Sequence, residues 1–452
     1  MNDYKNVENK KVLILGFSKT GISSAKYFLK KNADVYISEF SKANEQDKEQ
    51  IQELENLGVH IEFGGHSDNF IDNSYFCILS PSIPFEAEVL KKLDERNIEY
   101  FSDIEYFSYF NQDKMIITTG TNGKTTTTAL VSHILSGKYK APYCGNIGIS
   151  PMEYLGKNND YYSVEASSFQ LHYTKKCTPY IGIFCNLTPD HILWHKTLEN
   201  YFEDKAKVFR NMDKNSYAIL NYDDELLRKL GSEIKAKVYY FSMQDRNKQN
   251  CIYFENNKIY FHDEEIINIK ELQIVGPHNI QNAMCAILAA KIIGLSNTEI
   301  KERLKTFKAI EHRLEFIRTI EGTDYYNDSK ATNPEASIVA INSFKDKRVV
   351  LIAGGRDKKT SLKDFIEAVK ENISKVILIG EATSRFKDEL SKSGYLNIVN
   401  SKTLEEAIDI ASLDKPEVVL LSPACASFDM FENYEKRGDA FRNYVLSKKQ
   451  NI

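Results

Sequence analysis

The chain has 452 residues, 42% of them hydrophobic and 27% charged, with a net charge of −4. That length exceeds one hydrophobic core, so about two to three domains of an ordinary soluble globular protein are expected, with no electrostatic reason for a nucleic acid partner. No apolar run approaches the roughly 20 residues that span a bilayer, the opening MNDYKNVENKK lacks a signal-peptide core, and the 7 scattered cysteines form no CxxC pair, so a reducing cytoplasm is expected and a disulfide frame or zinc knuckle is not.

The first predicted strand, Val12-Leu-Ile-Leu15, runs into Gly16-Phe-Ser-Lys-Thr-Gly21 and a helix from Gly21 to Lys31. Glu39 closes a second strand, where a dinucleotide fold places the acid that bonds a ribose hydroxyl. The glycines read GxxxxG and lack the middle glycine that lets backbone approach a pyrophosphate closely. A nucleotide-diphosphate ligand, or a purely structural Rossmann-like unit, therefore fits better than a nicotinamide cofactor. Ser41 to Gln52 reads as an exposed helix and its lead-in, overlapping a helical stretch from Asp47 to Leu57. The turn region Ser80-Pro-Ser-Ile-Pro84 precedes a boundary near Ser102–Asp103.

The next strand, around Ile116-Ile117, ends in Thr118-Thr-Gly-Thr-Asn-Gly-Lys-Thr-Thr126 and opens a helix through Ala129 to Leu135. Strand, glycine loop and helix in this order turn backbone N–H groups and a positive dipole end toward an anion. Lys124 can reach the outer phosphates and the Thr125 hydroxyl can ligate magnesium, which implies an enzyme that handles ATP. Thr118 stands where the usual loop has its first glycine, so this is a shortened GxxGKT variant. Asn146, in Gly145-Asn-Ile-Gly148, reads as a turn residue or a ligand contact. Glu165 ends the strand Tyr161-Tyr-Ser-Val-Glu165. Alone it is an ordinary paired acid; beside a phosphate loop it stands where a magnesium ligand or water-positioning group belongs. His191, in Asn186-Leu-Thr-Pro-Asp-His191 after the strand at Ile181, ligates a metal, holds a phosphate or is simply hydrogen-bonded.

Helical patterns follow at Glu199 to Phe209 and Asn279 to Ile293, then a boundary near Ala309–Ile310. Beyond it the strands Val349-Val-Leu-Ile-Ala, Val376-Ile-Leu-Ile and Val418-Val-Leu-Leu alternate with helices at Asn333 to Asn342 and Phe431 to Leu446. Asn333 before Pro334 is a helix-start signal. Short continuous apolar runs alternating with helices indicate parallel sheets buried on both faces. The fold class expected is α/β in three domains: a Rossmann-like unit over 1–102, a P-loop ATPase-like parallel sheet over 103–309, and a second Rossmann-like unit over 310–452.

Several longer motifs together resemble one family, the ATP-dependent Mur ligases of peptidoglycan synthesis. They are TGTNGKTT at Thr119–Thr126, GNIG at Gly145–Gly148, EASSFQL at Glu165–Leu171, NLTPDH at Asn186–His191, GPHNIQNA at Gly276–Ala283, HRLE at His312–Glu315, NDSKATNP at Asn327–Pro334 and LSPACASFDMFENYEKRGDAF at Leu421–Phe441. The last, with NDSKATN, is most similar to the D-glutamate-adding branch. The resemblance implies an amide ligase that activates UDP-MurNAc-L-Ala with ATP as an acyl phosphate and joins it to D-glutamate. A sibling ligase, or a folylpolyglutamate-synthase-like one, is the alternative; a nucleotide-binding sensor and a dehydrogenase are more distant.

It also implies residue roles. Gly120, Thr121, Asn122, Gly123, Lys124, Thr125 and Thr126 would hold the ATP phosphates, and Asn282 the adenine. Arg313, Asp328 and Lys330 would come from the third domain to close on the nucleotide. Thr125 and Glu165 would ligate a first Mg2+, and His191 a second, with Lys205 carbamylated as a further ligand and Lys207 as its rival. Lys19, Thr20, Glu39 and Ser80 would meet the uridine end and Asn146 the muramoyl part. Thr332, Lys358, Ser427 and Phe428 would meet D-glutamate, Lys359 being the alternative to Lys358. The family often has an Asp two residues beyond the metal histidine; here it is Leu193, which leaves a water or His195 to support His191. A cytoplasmic monomer acting on small molecules is expected.

Overall fold

The computed structural model describes residues 4–244 and 250–448. They fall into two compact units, one formed by the chain through residue 269 together with 281–304, the other by 270–280 and 305 onward.

The first unit holds two sheets. One has five parallel strands in the order His60–Phe63, Asp34–Glu39, Lys11–Leu15, Phe76–Leu79 and Tyr100–Ser102. Its central strand is buried from Val12 to Leu15, as expected for a strand covered by helices on both faces. The helix after it runs Lys19–Leu29, two residues earlier than the apolar pattern suggested, because Ser18 caps it by accepting from the Gly21 amide. The GxxxxG spacing has a packing cause. Gly16 has φ +104°, and a Cβ there would lie 2.4 Å from Ser80 Oγ; a Cβ on Gly21 would lie 2.2 Å from the Gly16 carbonyl.

In the second sheet the phosphate-loop strand Met115–Thr119 lies between Ile181–Phe184 and Tyr162–Glu165, parallel to both. Tyr143–Gly145 flanks Glu165's strand, and Tyr217–Asn221 and Lys237–Ser242 extend the other side. The parallel-sheet expectation holds through these strands, and the sheet ends in an antiparallel edge. Cys251–Glu255, Lys258–Phe261 and Glu264–Asn268 continue the sheet as antiparallel hairpins. Their turns, Asn256-Asn257 and His262-Asp263, have positive φ at both residues, the geometry that matches the twist of a two-residue hairpin. The Asn-Asn pair was the available sequence signal.

The second unit contains a sheet in the order Glu315–Ile320, Thr323–Asn327, Val418–Leu421, Val349–Gly354, Ile373–Ile379 and Ile398–Asn400, parallel except for its first hairpin. The helix Pro334–Asn342 starts as expected, with Asn333 accepting from the Ala336 amide at 2.9 Å. The last helix begins at Tyr434, three residues after the expected start, because Asn433 caps it through Lys436 N. No helix among the described residues is long and apolar enough to cross a membrane.

Candidate active site

The phosphate loop leaves a fully buried strand and is tied down from one side. Thr121 N donates to the Asn186 carbonyl at 3.0 Å, and Asn122 N to Asn186 Oδ1 at 2.9 Å. Asn186 returns a bond to Asn122 O, and Thr121 Oγ1 both donates to Thr188 O and accepts from Thr188 N. The Asn-Leu-Thr segment thus braces the loop, a function its sequence did not disclose. Gly123 caps the helix Lys124–Leu135 at φ +81°. A Cβ there would lie 2.3 Å from Oδ1 of Asn282, which also accepts from Thr127 Oγ1 at 3.1 Å. Lys124 folds its ammonium onto the loop carbonyls of Gly120 and Thr121, at 2.9 and 2.8 Å. Thr125 is buried and Thr126 half-buried on the first turn, where the helix dipole favours an anion.

Glu165 lies beside Thr118 in the sheet register and is 2% exposed. Its Oε1 accepts from Asn146 Nδ2 at 2.9 Å, while Oε2 is buried with no hydrogen-bond partner among the described residues. Desolvating half a carboxylate without a partner costs about 1–3 kcal/mol or more, so this oxygen is suited to a cation. Among the described residues no three His, Cys, Asp or Glu form a self-contained metal cage. A buried carboxylate beside a phosphate loop fits magnesium, which is usually held by one or two carboxylates, waters and phosphate oxygens.

Lys205, on the helix Leu198–Ala206, is 1% exposed. Its ammonium reaches the Gly120 carbonyl at 2.8 Å and lies over the Tyr201 ring. Burial, reinforced by Lys124, holds its pKa well below the ordinary lysine value. Lys205 is therefore not a solvated surface lysine. Lys207 is committed elsewhere, to Asp204 at 2.7 Å and the His172 carbonyl at 2.9 Å.

Asp204 was not singled out from sequence. Burial alone would raise its pKa, but bonds from His172, His195 and Lys207 hold it below the usual carboxylate range. His195 is buried between Asp204 Oδ2 and Ser168 Oγ, each 2.9 Å away. Both ring nitrogens of His195 are thus engaged away from His191, which disfavours His195 among the two alternatives for supporting it. His191 instead has the neighbouring Asp190 carboxylate at 3.4 Å and the Phe169 ring at 4.9 Å. It sits at φ +52° and half-exposed; burial, with Lys124 and Lys205 adding, lowers its pKa against the pull of Asp190. Leu193 points to solvent, 96% exposed.

In the first sheet Glu39 is pinned by two amides, Phe17 N to Oε2 and Ser41 N to Oε1, both 2.8 Å. Ser80 is buried, bonded to Ser18 Oγ at 2.7 Å under the glycine turn. Glu39 lines one cavity; Lys19, on the opening helical turn with Thr20, lines another with Lys26 and Lys30.

The chain matches family models described as the Mur ligase MurD-like N-terminal domain over residues 10–102, the Mur ligase middle domain over 118–290 and the Mur ligase glutamate ligase domain over 312–425. The UDP-N-acetylmuramoylalanine–D-glutamate ligase of Caldicellulosiruptor bescii is 39% identical, the match covering 97% of this chain and 98% of that protein. The enzyme of the same name from Pediococcus pentosaceus is 37% identical, covering 98% of each. The chain belongs to the Mur ligase family. Solved Mur ligases share the fold. UDP-N-acetylmuramate-alanine ligase from Thermotoga maritima has a TM-score of 0.61 at 19% identity, covering 97% of this chain and 100% of that one. MurF from Acinetobacter baumannii has 0.62 at 16%, covering 95% and 93%.

The remaining candidate residues of this Mur ligase lie in the second unit. Asp328 is buried, accepting from Ser422 Oγ and the Leu314 amide, and burial pushes its pKa up to about 7. Arg313, Lys330 and Thr332 are half-buried, with Lys330 over the Tyr434 ring at 5.2 Å. Ser427 is buried, whereas Phe428 and Lys358 are exposed. Arg437 was missed. Fully buried, it bonds Ser329 Oγ and O and the carbonyls of Cys425 and Ala426, joining the loop before Lys330 to the loop before Ser427. Its signal was a cation inside an otherwise well-matched motif.

Proposed function

We propose that this Mur ligase joins D-glutamate to UDP-N-acetylmuramoyl-L-alanine at the expense of ATP, in peptidoglycan precursor synthesis. The observation that carries the reading is Glu165, a buried carboxylate with one oxygen unpartnered on the strand paired with the phosphate-loop strand. The curated relatives of that name support the choice of amino acid. Segments 1–102, 103–309 and 310–452 serve the UDP substrate, ATP and the amino acid in turn.

A carboxylate is a poor acyl donor because its leaving group would be oxide. Phosphorylation by ATP gives an acyl phosphate, which the D-glutamate amine attacks with release of phosphate. Lys124 exchanges its two loop carbonyls for phosphate oxygens and offsets charge as one anion meets another. Thr121 to Thr126 supply amides and hydroxyls around those phosphates, and Asn282 holds the base. Thr125 and Glu165 would hold magnesium, and His191 with a carbamylated Lys205 a second ion; magnesium supplies charge neutralisation of the transferring phosphoryl group. A deprotonated buried lysine traps CO2 and becomes an anionic oxygen donor. Burial of Lys205 against the loop supports that assignment over Lys207. Arg313, Asp328 and Lys330 serve the nucleotide; Thr332, Lys358, Ser427 and Phe428 serve D-glutamate; Asn146 serves the muramoyl part.

The test supplies UDP-MurNAc-L-Ala, ATP and magnesium and compares phosphate release with D-glutamate, L-glutamate, L-lysine and D-alanyl-D-alanine. D-Glutamate is expected to stimulate release most. Stimulation by none of them removes the ligase reading, and preference for another moves the protein to a sibling activity.

A further inference from the structure

A cavity of about 580 Å³ opens beside the glycine turn of the first sheet, lined by Glu39, Phe40, His66, Ile83, Pro84 and Val89 among others. The size suits a small ligand. Phe40 is 73% exposed and lines this cavity. Its backbone is held on both sides. The Glu39 carboxylate takes the Ser41 amide, and Gly64 N donates to the carbonyls of Glu39 and Ser41 at 3.0 Å each. A rigid turn thus presents one aromatic face, with the His66 ring 6.0 Å away at 38° and apolar Ile83, Pro84 and Val89 also lining the space.

The state of His66 follows from its neighbours. Ser38 is buried and has one hydroxyl proton. Its Oγ lies 2.6 Å from Glu62 Oε1, which cannot donate when ionised, and 3.3 Å from the Gly65 carbonyl. The proton is therefore spent on those acceptors. The remaining contact, 2.6 Å to His66 Nδ1, requires that Nδ1–H donates to Ser38. Burial lowers the His66 pKa, with Lys92 adding and Glu62 and Glu39 opposing, so the ring is neutral. A neutral ring protonated at Nδ1 carries a bare lone pair on Nε2, and Nε2 has no partner among the described residues.

We propose that Phe40 and His66 form a base-reading element for uracil, Phe40 stacking on the ring and His66 Nε2 accepting its N3–H. This deepens the uridine-substrate reading and rests on it. Cytosine has an unprotonated N3, so its lone pair would face that of Nε2. A site built around one acceptor discriminates against a ligand that leaves it unpaired or opposed.

The test is calorimetric binding of UDP and CDP to the full chain, which needs no turnover. UDP is expected to bind about tenfold or more tighter than CDP, one hydrogen bond's discrimination. His66→Gln keeps a carbonyl acceptor but can turn its amide to donate, so it is expected to bind UDP and bring the two affinities within about threefold. Ser38→Ala frees the tautomer and is expected to narrow the ratio likewise. Phe40→Ala is expected to weaken both ligands equally, with Phe40→Tyr restoring both. Thermal melts confirm folding of each variant. Equal wild-type affinities, or an undiminished ratio in His66→Gln, overturn the base-reading element while leaving D-glutamate-stimulated phosphate release untouched. Failure of that phosphate release with the UDP preference intact removes the ligase reading alone.

Discussion

Replacing Gly123 by Ala measures how tightly the phosphate loop is built. Two costs add. A non-glycine residue at φ +81° sits in the left-handed region, which costs about 1–2 kcal/mol. The new methyl would lie 2.3 Å from Asn282 Oδ1, so Asn282 must turn away. That breaks its bond from Thr127 Oγ1, whose loss in a buried setting costs a further ~1–3 kcal/mol. The total of about 2–5 kcal/mol is expected to lower the melting temperature by several degrees. Because Asn282 is assigned to adenine and the loop amides to phosphate, kcat/KM for ATP is expected to fall by at least about 100-fold. Gly394→Ala is the control. It has φ +88° and nothing within 4 Å of the added methyl, so it carries the backbone strain alone. Differential scanning calorimetry and ATP-dependent phosphate release compare the two. A Gly123→Ala protein no less stable than Gly394→Ala, with an unchanged KM for ATP, refutes the close packing of Gly123 on Asn282.

Glu165→Gln keeps the volume but loses the charge, and is expected to lower kcat by at least about 100-fold and raise the magnesium requirement, read by titrating magnesium in the phosphate assay; unchanged magnesium dependence counts against the assignment. Lys205→Met is expected to be inactive yet at least as stable as the parent, since it replaces a buried amine, with no carboxylate partner among the described residues, by an apolar side chain of similar length. Lys207→Met strands part of the Asp204 charge and is expected to lose stability while retaining most turnover; activity that falls with Lys207 and survives loss of Lys205 reverses the choice. Stripping CO2 from the buffer is expected to slow the wild type and be reversed by bicarbonate. For Asp328, the folded pKa of about 7 lies above the ordinary 3.8, so the native state keeps a proton that the unfolded chain has released. Its contribution is full below about pH 4 and lost as pH rises to about 7. Urea denaturation followed across that window is expected to show stability falling with pH in the wild type and a flatter profile in Asp328→Asn; parallel profiles refute it.

Local sequence rules determined the elements that need no distant partner. Continuous apolar runs marked the strands at Val12, Ile116, Ile181, Val349, Val376 and Val418, and Asn333-Pro334 marked a helix start, because burial on two faces and capping are written in adjacent residues. The order of glycines, Lys124 and Thr125 marked the phosphate loop for the same reason. Tertiary structure decided what depends on convergence. The family resemblance favoured Lys205 over Lys207, but the fold supplies the physical difference, since the two differ in what surrounds them and not in type. It likewise set His195 against Asp204 and Ser168, placed Arg437 between two loops far apart in sequence, and oriented His66 through Ser38 and Glu62. Desolvation and hydrogen-bond partnership act through space, so a linear spacing cannot encode them.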